Sequence, residues 1–153
     1  MRSKSILVTA GLLICLFGVA GAQAQEVQPG VARISLIHGD VSLQRGDSGD
    51  WVAATLNAPV VAGDRVATGT GARLELQLDH ANILRLDERS EAKITDLTRT
   101  HILVQVSQGI VDYTVFKDRE ADVEIDTPNV AIHPLRDGTY RIQLPSDDQS
   151  ELI

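Results

Sequence analysis

The stretch 74–90, LELQLDHANILRLDERS, decides the fold. Leu74, Leu76 and Leu78 alternate with Glu75, Gln77 and Asp79, and Leu84 and Leu86 alternate with Arg85 and Asp87. Successive side chains of a strand leave opposite faces of its sheet, so a period of two marks a half-buried strand. Two such runs around Asp79-His80-Ala81-Asn82 predict a β-hairpin whose apolar face forms the centre of a core.

The same pattern recurs outward in both directions. Toward the N-terminus, Ala32, Ile34 and Leu36 alternate with Arg33 and Ser35, and a turn at Gly39-Asp40 leads into a strand over 41–44. Trp51, the sole tryptophan, opens a strand and is expected to cover one end of the core. Toward the C-terminus, Ile102, Val104 and Val106 alternate with polar neighbours, Gln108-Gly109 reads as a turn, and a separate strand follows over 110–116. Ala121, Val123 and Ile125 alternate with Asp122, Glu124 and Asp126, and Asp137-Gly138 is a good hairpin turn before Tyr140, Ile142 and Leu144. Helical periodicity is missing after residue 24. Many short strands at this spacing predict an all-β domain, a sandwich, a roll or an irregular solenoid-like sheet pair. No exact internal repeat supports a regular solenoid.

The N-terminus reads as a targeting segment. Arg2 and Lys4 precede an apolar run from Ile6 to about Ala22, and Ala22-Gln23-Ala24 has the small-residue pattern of a cleavage site. A secretory signal peptide, helical and cut after residue 24, is expected, with contact to a membrane only through that segment if it is retained. The expected divisions are a signal peptide over 1–24, a flexible lead-in over 25–30, one β domain over 31–144 and a tail over 145–153. Removing 24 of 153 residues leaves 129, enough for one domain. Cys15 is lost, so no disulfide or thiol chemistry is expected. Arg2 and Lys4 also leave the 14 basic residues; the remaining 12 face 21 acidic ones, a net of −9. That charge disfavours nucleic acid and anionic membrane surfaces as partners.

Chemistry-bearing motifs are sparse. His38, His80, His101 and His133 do not stand in a metal-binding spacing. Asp122, Glu124 and Asp126 share one strand face, but carboxylates two residues apart lie about 6 to 7 Å from each other, too far to share one ion unaided. The expected alternatives are a docking face or a solvated stripe paired with basic residues on a neighbouring strand. A Gly-x-Ser-x-Gly elbow and a phosphate-cradling glycine loop are both missing, so no catalytic residue, cofactor or metal is assigned. Arg45-Gly46-Asp47 lies between strands and reads as an ordinary turn. The turn Asp79-His80 and the loop Gly63-Asp64-Arg65 are the expected exposed landmarks, mainly structural, and Asp79, His80, Asp122, Glu124 and Asp126 are the candidate interaction surface.

In order, Gly39-x-Val41, Trp51, Gly63-Asp64-Arg65-Val66-Ala67-Thr68, Gly71-Ala72-Arg73-Leu74-Glu75-Leu76, Leu78-Asp79 with Leu84-x-Leu86 and Ser90, Val106-Ser107-Gln108-Gly109-x-Val111, Asp126-Thr127-Pro128 and Gly138-Thr139-Tyr140-Arg141-Ile142 resemble the FecR domain, a periplasmic β-rich domain of bacterial envelope regulators. The resemblance covers about 31–143. Its central turn departs from the family pattern, with Asp79-His80-Ala81 in place of Asp-Gly-Ser. The name-giving members relay ferric-siderophore signals and carry a cytoplasmic anti-sigma region. Here only Met1 to Ser5 precede the apolar run, so that region is expected to be missing. The resemblance implies a non-catalytic periplasmic module that binds another envelope protein. The alternative is a structural or glycan-associated domain of the cell wall.

Overall fold

The computed structural model describes residues 27–146 and 149–153. The expected signal-peptide helix lies outside them. The described residues contain thirteen strands and no helix. The strands are β1 (Ala32–His38), β2 (Val41–Gln44), β3 (Trp51–Ala53), β4 (Pro59–Val60), β5 (Arg65–Thr68), β6 (Arg73–Gln77), β7 (Asn82–Leu86), β8 (Glu91–Leu97), β9 (His101–Val115), β10 (Asp122–Asp126), β11 (Ala131–Ile132), β12 (Gly138–Ser146) and β13 (Gln149–Leu152). All belong to one curled sheet, a half-barrel that is antiparallel except where β10 runs parallel to β9.

The fifteen-residue β9 is the spine. Its N-terminal half lies between β8 and β10, and its C-terminal half between β7 and β12. One arm of the sheet therefore runs β3-β2-β5-β8-β9-β10-β11, and the other β4-β1-β6-β7-β9-β12-β13. A straight strand of this length would span about 46 Å at about 3.3 Å per residue. The seven residue steps from Val115 to Asp122 reach about 25 Å at most. Yet Asp122 lies beside His101, at the other end of β9. The strand must therefore bend sharply.

The bend sits at Gly109, whose φ is +86°. There Gln108-Gly109 forms no hairpin turn: the chain continues as one strand and changes arms. A register shift between Glu91 and Ala92 marks the same place in β8. Ser90, 1% exposed, locks it. Its Oγ accepts a hydrogen bond from the Ile110 amide at 2.9 Å and lies 3.0 Å from the Ile110 carbonyl, while its own amide donates to Thr68 Oγ1 at 3.0 Å.

The core fills the curl. The central hairpin has the expected register, with Leu74 opposite Leu86 and Leu76 opposite Leu84. All four are buried in one cluster with Ile34, Leu43, Ile94, Val104 and Ile125 from both arms. Each fully buried aliphatic side chain contributes about 1.5–3 kcal/mol of transfer free energy.

Two inward expectations fail for local reasons. Leu36 is 46% exposed because the register of β1 against β6 shifts between Ile34 and Leu36, a bulge that turns the following residue outward. Trp51 is likewise 46% exposed, because Val52 shares the face of the buried Leu43 and Trp51, one residue away, leaves the opposite, outer face of β3.

Gly109→Ala tests the bend. A Cβ there would collide with Ser90 Oγ, lie 2.6 Å from the Arg89 carbonyl oxygen and force a left-handed conformation on a non-glycine residue. The expected loss is about 2–4 kcal/mol in urea unfolding. A loss within about 0.5 kcal/mol, the range of ordinary surface substitutions, would show that β9 does not depend on this glycine.

Candidate interaction site

Parallel pairing on β9 gives β10 its orientation. Val123 and Ile125 enter the core, and Asp122, Glu124 and Asp126 face outward. Their neighbours on β9 are His101, Leu103 and Gln105. Asp96 of β8 stands opposite Leu103, so Asp96, Leu103 and Glu124 form one row across three strands. The basic partners expected on the neighbouring strand are not there. Among the described residues no salt bridge reaches Asp122, Glu124 or Asp126; elsewhere on this face Lys93 of β8 stands opposite Gln105, in the row of Asp126, and His101 Nε2 lies 4.0 Å from Asp96 Oδ2. Among the described residues no three His, Cys, Asp or Glu side chains converge as a metal site. The face is an acidic surface with an apolar centre at Leu103.

The landmarks at the central turn separate into two roles. Asp79 turns inward: its Oδ1 accepts the Ala81 amide at 2.7 Å, and Asn82 Nδ2 donates to both carboxylate oxygens at 2.9 Å. Asn82 is wholly buried, and its Oδ1 accepts the Tyr113 hydroxyl at 3.2 Å. Burial raises the Tyr113 pKa, the Asp79 charge raises it further, and Arg119 opposes both. Asp79 thus positions the hairpin. His80 is the exposed residue, with Nε2 2.9 Å from the Asp118 carbonyl oxygen. Asp79, His80, Arg99 and Glu120 line an open groove of about 410 Å³, bridged by Arg99 Nε and Glu120 Oε2 at 3.1 Å. Asp122 begins two residues beyond Glu120, and its amide bonds to the Thr100 carbonyl. The hairpin tip and the acidic stripe therefore lie at the same end of the molecule.

A second polar face went unrecognised in the sequence. On the outside of the other arm, Glu75, Arg85, Asp112 and Arg141 stand directly opposite one another on β6, β7, β9 and β12. Arg85 Nε meets Glu75 at 2.7 Å, Arg141 Nη1 meets Asp112 at 3.0 Å and Arg73 Nε meets Asp87 at 3.2 Å. Leu36 borders this ladder and lines an open groove of about 610 Å³ with His38, Arg73 and Glu88. Opposite charges at Arg73/Asp87 and Glu75/Arg85 were a readable signal; the Asp112–Arg141 pair needs the long-range pairing of β9 with β12. The Arg45-Gly46-Asp47 turn is also structural. Arg45 Nη1 holds Asp64 at 2.9 Å, and the Gly46 amide donates to the same carboxylate, so Asp64, expected as an exposed landmark of the Gly63-Asp64-Arg65 loop, is instead 2% exposed and ties two loops together.

The FecR protein family model matches residues 64–152. The chain belongs to the FecR protein family. The match runs from the buried Asp64 through the central hairpin, the β9 spine and the acidic stripe to the end of β13. The four strands before it pair into the same sheet. No curated protein and no solved structure matches. No helix among the described residues is long and apolar enough to cross a membrane.

Glu75 supplies a pH test of the ladder. The Ser35 hydroxyl, 2.7 Å from Oε1, lowers its pKa; burial works against this, and the Arg85 hydrogen bond and charge add to the lowering. A carboxylate with a lowered folded-state pKa contributes stability above its unfolded value of about 4.3. That contribution is lost as pH falls through the folded value. Glu75→Gln should cost about 0.5–1 kcal/mol at pH 7. Its difference from the unaltered chain should shrink as urea unfolding is repeated from about pH 4.5 downward. A gap unchanged down to pH 2.5 would show that the Glu75 charge does not contribute.

Proposed function

We propose that this FecR-family chain is a secreted, periplasmic, non-catalytic module that binds another protein of the cell envelope and serves signalling or regulation there. The observation that carries the reading is the outer face of β9 and β10. Asp122, Glu124 and Asp126 lack the cationic partners that the other arm supplies for nearly every carboxylate. Unpaired surface charge of one sign steers and orients a partner of the opposite sign. Family membership supports the regulatory role. Candidate catalytic groups do not converge: Asp79 is consumed by Ala81 and Asn82, and His80 by a main-chain carbonyl. We assign the docking contacts to Asp122, Glu124 and Asp126, with His80 at their margin and Asp79 as its support.

A photo-crosslinking residue placed at Glu124 in intact cells should capture one envelope protein, and one placed at His80 should capture the same protein more weakly. Asp122→Lys combined with Asp126→Lys, in the chain that carries the crosslinker at position 124, should abolish capture while urea stability stays within about 0.5 kcal/mol, as expected for surface positions. Capture of cell-wall fragments alone, or capture unchanged by the two lysines, would replace this reading with a structural role in the wall.

A further inference from the structure

The strand β3 is an edge whose unused main-chain groups can be identified. The Ala54 amide donates to the Val41 carbonyl at 2.9 Å, and the Arg45 amide to the Asp50 carbonyl at 3.1 Å. Leu43 stands opposite Val52, midway between those pairs. Hydrogen-bonded and non-bonded pairs alternate along an antiparallel ladder. Val52 therefore spends its amide and carbonyl on β2, and Trp51 and Ala53 direct theirs away from the sheet. None of those four groups has a hydrogen bond to another described residue.

The side chains are as open as the backbone. Val52 shares the inward face of its partner Leu43, yet Leu43 is 1% exposed and Val52 47%. The difference arises because nothing flanks Val52 on its far side. Trp51 is exposed beside it, and Leu56, 57% exposed, follows in the segment joining β3 to β4.

The other edges are guarded. Pro59 removes a donor from β4, and its carbonyl accepts Arg45 Nη1 at 2.9 Å. The two-residue β11 lies between Pro128 and Pro134. The remaining edge strand, β13, contains the exposed carboxylate of Glu151. Proline and charge are the ordinary means of blunting an edge, and β3 has neither.

Charge sets the direction of an added strand. Asp47 and Asp50 precede β3 and form no salt bridge among the described residues; Asp47 Oδ1 accepts only the Ser48 amide. In antiparallel pairing, the C-terminal end of the incoming segment lies beside the N-terminal end of β3. We propose that β3 is a strand-addition site. An extended segment of a partner protein pairs antiparallel with Asp50 to Ala54, apolar opposite Val52 and carrying lysine or arginine at its C-terminal end near Asp47 and Asp50. This rests on the reading of the chain as a protein-binding module and names a second contact, apart from the acidic face.

Panning the purified full chain with a displayed library of random nine-residue peptides tests the site. The expected consensus is alternating apolar residues followed by lysine or arginine. A selected peptide should shift the amide resonances of Asp50 to Ala54. Ala53→Pro deletes an outward donor without touching the β2 ladder, and should weaken that peptide about tenfold. Asp47→Lys with Asp50→Lys lies in an exposed loop and should weaken it at low salt, with a smaller effect at high salt. If Ala53→Pro lowers the melting temperature, the loop variant alone decides. An unenriched library, shifts confined to another edge, or equal binding by the loop variant at low salt overturns the proposal. The peptide reads β3 directly, so this result and the Glu124 crosslink can fail independently.

Discussion

The curl of the sheet depends on the close approach of Gly109 to Ser90. A fifteen-residue strand can belong to both arms only if it turns without losing its ladder. That requires a residue with no Cβ at the inside of the bend, where Ser90 Oγ and the Arg89 carbonyl oxygen occupy the space. It also requires a hydrogen-bond partner for main-chain groups that the bend pulls out of register. Ser90 meets that need with one hydroxyl, and Thr68 satisfies the Ser90 amide in turn. An unpartnered buried amide would cost about 1–3 kcal/mol, so the serine matters as much as the glycine. Once the bend is fixed, the arms curl around a single core and β10 is delivered to the N-terminal half of β9.

What the sequence disclosed follows from the range of each determinant. The hairpin of β6 and β7 was legible because its pattern is local: four leucines with period two, separated by a turn whose Asp79 accepts its own neighbours' donors. The outward display of Asp122, Glu124 and Asp126 was legible for the same reason. Gly109 was misread because Gln-Gly between two alternating runs has the composition of a hairpin turn. Only the distance between β10 and the start of β9 shows that the strand is continuous. Leu36 was misread because a bulge changes the face of every residue after it and leaves no local mark in the sequence. Trp51 takes the outer face because the register of β3 on β2 sets Val52, not Trp51, opposite the buried Leu43, and that register is a pairing between strands that composition does not show.

Asp79 and His80 show the same limit at the scale of a site. They are adjacent, polar and at the tip of a turn, and composition alone gives them one role. The fold divides them, because Asn82 is wholly buried and needs acceptors for its amide, which Asp79 supplies, while its own oxygen serves Tyr113. The Tyr113 hydroxyl comes from a strand 31 residues further along the chain. The buried partner that claims Asp79 is thus set by tertiary contacts, and His80 is left at the surface by subtraction.

The two outer faces of the sheet differ in what a partner would have to displace. On the β6-β7-β9-β12 face, Arg85 is already bonded to Glu75, and Arg141 reaches both Asp112 and Asp87. An incoming charge there would compete with bonds already made, and desolvating the pairs would cost more than new contacts of equal geometry return. Such a ladder holds strands in register and discourages adhesion. On the β9-β10 face Asp122, Glu124 and Asp126 form no salt bridge among the described residues, so a cationic partner gains attraction without breaking an internal pair. Surface ion pairs are individually worth little, about 0.2–1 kcal/mol, so the acidic face alone gives orientation and rate more than affinity. Affinity needs a component that excludes water. The chain offers one at Val52 and Trp51, beside main-chain groups that an added strand would satisfy. Recognition divided between an acidic face and an open edge lets each contact be weak while the pair together is selective.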